Sequence, residues 1–184
     1  MTRPFSLAFS HVGIFVTNLD RMVDFYTRFL GFVVSDRGSS PGGGGIVFMT
    51  RDPSEHHQLV MATGRPADTP FNVVNQMSFR VDSLKTLKEM HAALKNEPVT
   101  DVVPISHGNA LSVYFRDPEG NRVELLIDTP WYVPQPMRIP VDLSLPDDQL
   151  WAWVEQRARA TPGFKPRAEW QADIAQKLAR ARAR

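Results

Sequence analysis

Four polar residues occupy matched or neighbouring places in a chain that repeats itself. His11-Val-Gly-Ile-Phe-Val16 returns sixty-five positions later as Gln76-Met-Ser-Phe-Arg-Val81, and Arg51-Asp52-Pro53 returns at the same offset as Arg116-Asp117-Pro118. His11, His57, Gln76 and Glu124 are the residues of interest, because each type can ligate a divalent metal or, for the histidines and the glutamate, move a proton. A duplication of this length means two copies of one supersecondary unit, in which polar groups at matched positions can converge. Metal-assisted or acid/base chemistry on a small molecule is the expectation.

The elements that must carry these groups follow a common plan. In the first copy Ala8 to Val16 is β-branched and aromatic, and reads as a strand. Asn18 caps a helix whose Leu19, Met22, Val23, Tyr26 and Leu30 keep the 3.6 period, and Gly31 ends it. Phe32 to Ser35, Ile46 to Thr50 and His57 to Ala62 read as three further strands, with Gly38 to Gly45 as a loop. The second copy has a strand at Asn75 to Val81 and a helix at Ser83 to Leu94. Strands then follow at Val102 to Ile105, Ala110 to Phe115 and Arg122 to Ile127.

Strand parity places His11, Gly13 and Phe15 on one face and Val12, Ile14 and Val16 on the other. The aliphatic face suits the helix, so His11 points away from it. Gln76 and Ser78 oppose Met77, Phe79 and Val81 in the same way, and Glu124 opposes Val123, Leu125 and Ile127. The expected fold class is α+β: two paired βαβββ modules forming a curved mixed-sheet cleft, with a C-terminal helical extension. The modules span residues 5–66 and 72–130 of a 1–130 domain. Residues 131–184 form a proline-rich arm, running extended across a surface, and two helices, at Leu145 to Ala160 and Arg167 to Arg184.

Composition narrows the function. Hydrophobic content of 42% and charged content of 22% are those of a globular protein with a real core. A formal net charge of +1 gives no field for nucleic acid, and the basic last helix reads as a solvated or subunit-bracing element. With no cysteine, thiol nucleophiles and zinc–thiolate sites are excluded. No apolar run has the length of a signal peptide or a membrane span, so a cytoplasmic protein is expected. The size of the extension points to a homodimer.

The paired modules, the helix end Phe25-Tyr-Thr-Arg-Phe-Leu-Gly-Phe32 and the segment Asp117-Pro-Glu-Gly-Asn-Arg-Val-Glu124-Leu resemble the vicinal oxygen chelate superfamily. Glyoxalases, epimerases, fosfomycin-resistance proteins and extradiol dioxygenases make up that group. The resemblance covers roughly residues 5 to 130, and the second half is most similar to single-domain extradiol dioxygenases of the biphenyl-2,3-diol type. It implies His11 and Glu124 as metal ligands, with Fe(II) the expected ion and Mn(II) or another divalent metal an alternative. It implies His57, the second of a His-His pair, as catalytic acid/base together with Tyr114. His107 and Asn109 of the His-x-Asn motif would bind substrate. A catechol-like diol and O2 would be the partners, with no nucleic acid and no membrane.

The dioxygenase pattern has a second ligand histidine where this chain has Gln76. An amide oxygen is a neutral, harder ligand suited to Mg, Mn or Ni, and the set His11, His57, Gln76, Glu124 has the composition of an epimerase site. A redox-neutral glyoxalase- or epimerase-like metalloenzyme and a non-catalytic small-molecule binding protein are therefore the alternatives. Plainer roles also stand beside the functional ones. Gln76 can satisfy backbone groups, Asn109 can serve a left-handed turn, and Tyr114 can simply pack. Trp131 and Tyr132 are placed at the mouth of an aromatic-accepting site.

Overall fold

The computed structural model describes residues 8–39, 43–69 and 71–182. Contacts divide the chain into two compact units, residues 6–73 and residues 74 onward. The segment after residue 130 belongs to the second unit. The α+β class and the βαβββ plan of each half are as the repeat implied.

In the first unit the order is β1 (Val12–Val16), α1 (Leu19–Arg28), β2 (Val33–Ser39), β3 (Gly45–Thr50) and β4 (Leu59–Thr63). The sheet runs β1-β4-β3-β2, with β1 parallel to β4 and the other pairs antiparallel. Asn18 caps α1 by accepting from the Arg21 amide at 3.0 Å. After the helix Gly31, at φ 71, lets the chain turn into β2. Helix α1 packs on β3 and β4. Its Met22, Val23, Phe25 and Tyr26 are buried, as are Ile14, Val16, Val47, Met49, Leu59 and Met61 of the sheet. Each such side chain stabilises the fold by about 1.5–3 kcal/mol relative to exposure, enough to fix which face of the sheet meets the helix. The opposite face stays open: Phe15 is 66% exposed.

The second unit has β5 (Met77–Arg80), α2 (Leu84–Ala93), β6 (Thr100–Ser106), β7 (Ala110–Arg116) and β8 (Arg122–Asp128). Ser83 caps α2 by accepting from the Thr86 amide at 3.1 Å. Leu84 and Leu87 are buried, with Phe115, Val113, Val123 and Leu125 on the sheet's helix-side rows. Beyond β8 come β9 (Trp131–Tyr132), β10 (Ile139–Pro140), α3 (Asp147–Ala160), β11 (Lys165–Pro166) and α4 (Arg167–Arg182). The main sheet runs β10-β6-β7-β8-β5, and β9 pairs with β11.

Several boundaries differ from the sequence reading. Strand β2 continues to Ser39 with hardly a buried residue, because its ladder to β3 holds a polar edge that carries no alternating pattern. The loop expected at Gly38 to Gly45 therefore shrinks, and residues 40–42 lie outside the described residues. Strand β4 starts at Leu59, which leaves His57 on the preceding loop. The arm does more than cross a surface: β10 extends the main sheet, and Val133, Val141 and Leu143 are buried. Trp131 meets Trp151 of α3 edge-on at 6.0 Å, and Tyr132 stacks on Trp170 of α4 at 5.4 Å, so both rings pack against the C-terminal helices rather than serve as a mouth. Among the described residues no helix is long and apolar enough to cross a membrane.

Candidate functional site

Direct partners in a sheet share a face, so the register sorts the polar groups. In the second unit one row reads Ser78, Glu124, Tyr114 across β5, β8 and β7. It lies on the face away from α2. Gln76, two residues before Ser78, joins it by parity. The corresponding row of the first unit is Gly13, Val60, Phe48, Asp36 across β1, β4, β3 and β2. Val60 and Phe48 thus stand where the second unit has Glu124 and Tyr114. The duplication kept the frame and changed the chemistry.

Glu124 is 5% exposed. Its Oε2 accepts from Gln76 Nε2 at 2.9 Å and from the Ser78 hydroxyl. Oε1 lies 3.9 Å from His107 Nε2. A buried carboxylate is costly unless opposite charge and hydrogen bonds compensate it, and here both close donors are neutral. Because the Gln76 amide nitrogen is directed at Glu124, its carbonyl oxygen is left for another partner.

Tyr114, 8% exposed, is next in the row. Its hydroxyl is 2.9 Å from His107 Nε2, and His107 Nδ1 is 2.6 Å from the carbonyl oxygen of Met137. A carbonyl only accepts, so Nδ1 carries a hydrogen and Nε2 faces the Tyr114 hydroxyl. The phenol thus sits among the His107 ring, the Glu124 carboxylate and the Gln76 amide. Burial first, then the hydrogen bond and charge of Glu124, hold the Tyr114 pKa well above the ordinary phenol value. The guanidinium of Arg138 lies over its ring, 5.2 Å from the centroid.

His107, Gly108 and Asn109 form the turn between β6 and β7, closed by the His107 amide donating to the Ala110 carbonyl. Thr129 donates its hydroxyl to the Gly108 carbonyl and its amide to the Asn109 carbonyl. The positive φ of the turn, 72°, belongs to Gly108, so Asn109 is not there for left-handed geometry. Gln135 Nε2 donates to the His107 carbonyl at 2.8 Å and reaches Asn109 Oδ1 at 3.3 Å. A Cβ on Gly108 would come within 2.5 Å of Val133 Cγ2. The arm is fitted tightly over this turn.

The first unit brings His11 and His57 together, with ring centroids 4.3 Å apart. His11 is exposed one residue before β1, and its Nδ1 is 3.2 Å from the Ser10 hydroxyl. Phe48 stands edge-on to His57 at 5.1 Å. Partial burial first, then the charges of His11 and His56, push the His57 pKa down, against an opposing pull from Glu55. His57 is therefore a neutral imidazole, able to accept a proton, near pH 7.

Of the residues singled out in the sequence, His11 and His57 meet in one unit, and Gln76, His107, Asn109, Tyr114 and Glu124 share the other. Neither unit by itself gathers three His, Cys, Asp or Glu side chains into a metal-binding set among the described residues. The donor types nonetheless suit a divalent ion: imidazole, amide oxygen and a buried carboxylate. Sequence reasoning passed over Ser78 as a partner of Glu124, although its parity with Gln76 was visible. Nothing in the sequence marked the Met137 carbonyl or the Gln135 amide, since these act through the path of the arm.

Comparison with known proteins adds three findings. The family model of the glyoxalase/bleomycin resistance protein/dioxygenase superfamily matches residues 8–125. Biphenyl-2,3-diol 1,2-dioxygenases 2 and 3 of Rhodococcus globerulus are 32% and 31% identical over 124 residues, 65% of this chain and 62% of each relative. The match thus spans less than two thirds of those relatives. Among solved structures, the trypanothione-dependent glyoxalase I of Leishmania major gives a TM-score of 0.50 at 25% identity, covering 66% of this chain and 86% of that one. The fosfomycin resistance protein FosX of Listeria monocytogenes, with Mn(II) and sulfate, gives 0.52 at 16% identity over 68% of this chain and 95% of that one, a likeness of fold alone.

Proposed function

This chain belongs to the glyoxalase/bleomycin resistance protein/dioxygenase superfamily, and within it we propose a metal-dependent extradiol dioxygenase that cleaves a catechol-type aromatic diol. The carrying observation is the row Ser78, Glu124, Tyr114 with His107 behind it: a buried carboxylate beside a buried phenol on the sheet's open face. The likeness to the two biphenyl-2,3-diol dioxygenases supports oxygen chemistry over the other reactions of the superfamily.

His11, Gln76 and Glu124 would hold the divalent ion, with Fe(II) the expected metal. When bound, it supplies positive charge that favours the deprotonated diol and a template for its two oxygens. His57, neutral because its pKa is lowered, takes a proton from a substrate hydroxyl. Tyr114 accepts a hydrogen bond from the other hydroxyl and remains a phenol throughout, since its own pKa is raised. His107 orients the phenol through its Nε2, and Asn109 adds a polar contact at the rim. Phe48 offers an aromatic wall beside His57.

The test is oxygen uptake with formation of yellow ring-cleavage product from catechol or 2,3-dihydroxybiphenyl, using protein loaded anaerobically with Fe(II). Loss of both signals in His11→Ala is expected. No product from a broad catechol panel, with metal demonstrably bound, rejects the proposal. One observation favours a second reading: Gln76, not an imidazole, is the group facing Glu124. A redox-neutral isomerase or epimerase would transform an α-hydroxycarbonyl substrate without consuming oxygen, so the oxygen electrode separates the two.

A further inference from the structure

We propose that Asp36, acting through His56, holds the His57 ring in the tautomer with its hydrogen on Nδ1, so that Nε2 presents a bare lone pair. Asp36 and His56 are then positioning residues for the acid/base histidine. The tautomer itself stands on geometry, and its use in catalysis rests on the function proposed above.

The first step is backbone. Between Val34 and Asp36 the register of β2 against β3 shifts by one residue, so that Val34 opposes Met49 while Asp36 opposes Phe48. Without this bulge Ser35 would stand opposite Phe48, and Asp36 would be turned to the helix side. Bulges re-aim side chains in this manner. Here the re-aimed group is a carboxylate, delivered to the open face in the row that contains Phe48 and Val60.

The second step is hydrogen-bond accounting. Asp36 Oδ2 is 3.0 Å from His56 Nε2. An ionised carboxylate can only accept, so His56 carries its hydrogen on Nε2. His56 Nδ1 is 2.8 Å from His57 Nδ1, a separation that requires one hydrogen between the two nitrogens. With a single hydrogen on His56, already given to Asp36, the proposal has His56 accept and His57 Nδ1 donate. A neutral imidazole has one N–H, and His57 Nε2 is therefore unprotonated. Phe48 supports the arrangement from one side, with centroids 5.9 Å from His56 and 5.1 Å from His57. The chain Asp36–His56–His57 thus selects the tautomer that an unconstrained imidazole disfavours.

Histidine-selective 15N labelling of the full-length chain, with Zn(II) replacing any paramagnetic ion, reads the answer from two-bond proton–nitrogen correlations at pH 8. The wild type should show His57 protonated at Nδ1 and bare at Nε2. Asp36→Ala should move the majority of His57 to the Nε2–H form, whereas Asp36→Asn keeps an acceptor oxygen and should retain the wild-type pattern. Diol cleavage should follow: kcat about tenfold lower in Asp36→Ala with KM unchanged, restored in Asp36→Asn. Hydrogen on Nε2 of His57 in the wild type, which an imidazolium at His56 would require, overturns the proposal, as does a pattern unmoved by Asp36→Ala. If no catechol is turned over by the wild type, the proposed activity fails while the nitrogen signals still decide the tautomer.

Discussion

Ser78 and Glu124 lie directly opposite each other in the parallel pairing of β5 with β8, and the serine hydroxyl donates to the carboxylate. A pair forty-six residues apart is thus fixed by backbone register, and Gln76 completes the cradle. The cradle is neutral while its occupant is an anion.

Glu124→Gln should show what that imbalance costs. Without metal the variant should be at least as stable as the wild type, by up to about 1–3 kcal/mol, because a buried charge has gone. The wild type should gain about 2.7 kcal/mol when the metal is at a hundred times its dissociation constant, and the variant should gain almost none. Thermal unfolding with and without Fe(II) or Mn(II) is the measurement. A variant that keeps the full metal-linked gain would remove Glu124 from the ligand set.

Tyr114→Phe should fold normally and lose about 1 kcal/mol, the worth of one hydrogen bond to His107. Turnover of a diol should drop by about a hundredfold. The size of that drop should not vary with pH between 6 and 9, since the raised pKa keeps the wild-type residue protonated over this range. Stability has its own signature. Above the ordinary phenol value of about 10 the unfolded chain ionises this tyrosine and the folded one does not, so wild-type stability falls with rising pH. Urea unfolding at pH 10 and 11 should show that contribution missing in the variant.

Gly108→Ala adds a methyl into the 2.5 Å gap to Val133 at a residue with φ 72. Left-handed strain and overpacking together should destabilise by about 2–4 kcal/mol. Gly120→Ala is the control, because its φ of 80 is similar but its Cβ would meet open space. It should lose only about 1–2 kcal/mol. Equal losses in the two variants would mean that the arm does not press on the turn.

His91 gives the fold an acid limit of its own. Burial lowers its pKa, against a raising pull from Asp142. The unfolded chain therefore takes up a proton that the folded one resists, and stability falls as pH drops below about 6.5 towards the folded value. His91→Gln should flatten the slope of unfolding free energy between pH 6.5 and 5. A slope identical to that of the wild type would assign the acid limit to other groups.

Parity made much of this legible in advance. In β1 the alternation of Gly13 and Phe15 with Ile14 and Val16 is written in side-chain types, and burial follows it. The same holds for Met77 against Ser78. It fails where both faces are covered: β7 is buried from Leu111 to Phe115, so its sequence shows no alternation to read. It also fails at β2, whose exposed residues carry no apolar alternation. The candidate side chains were legible as residue types, with His11 and Gln76 at matched positions of the repeat. The site's hydrogen-bond logic was not, because the bulge at Asp36 and the carbonyl of Met137 are backbone facts that no side-chain pattern announces.

The carbonyl of Met137 holding the His107 ring ties the arm to the turn between β6 and β7. The duplicated body and the appended tail cannot drift separately. An insertion or deletion between Val133 and Met137 would slide that oxygen away and release the imidazole, even with every group on β5, β7 and β8 intact.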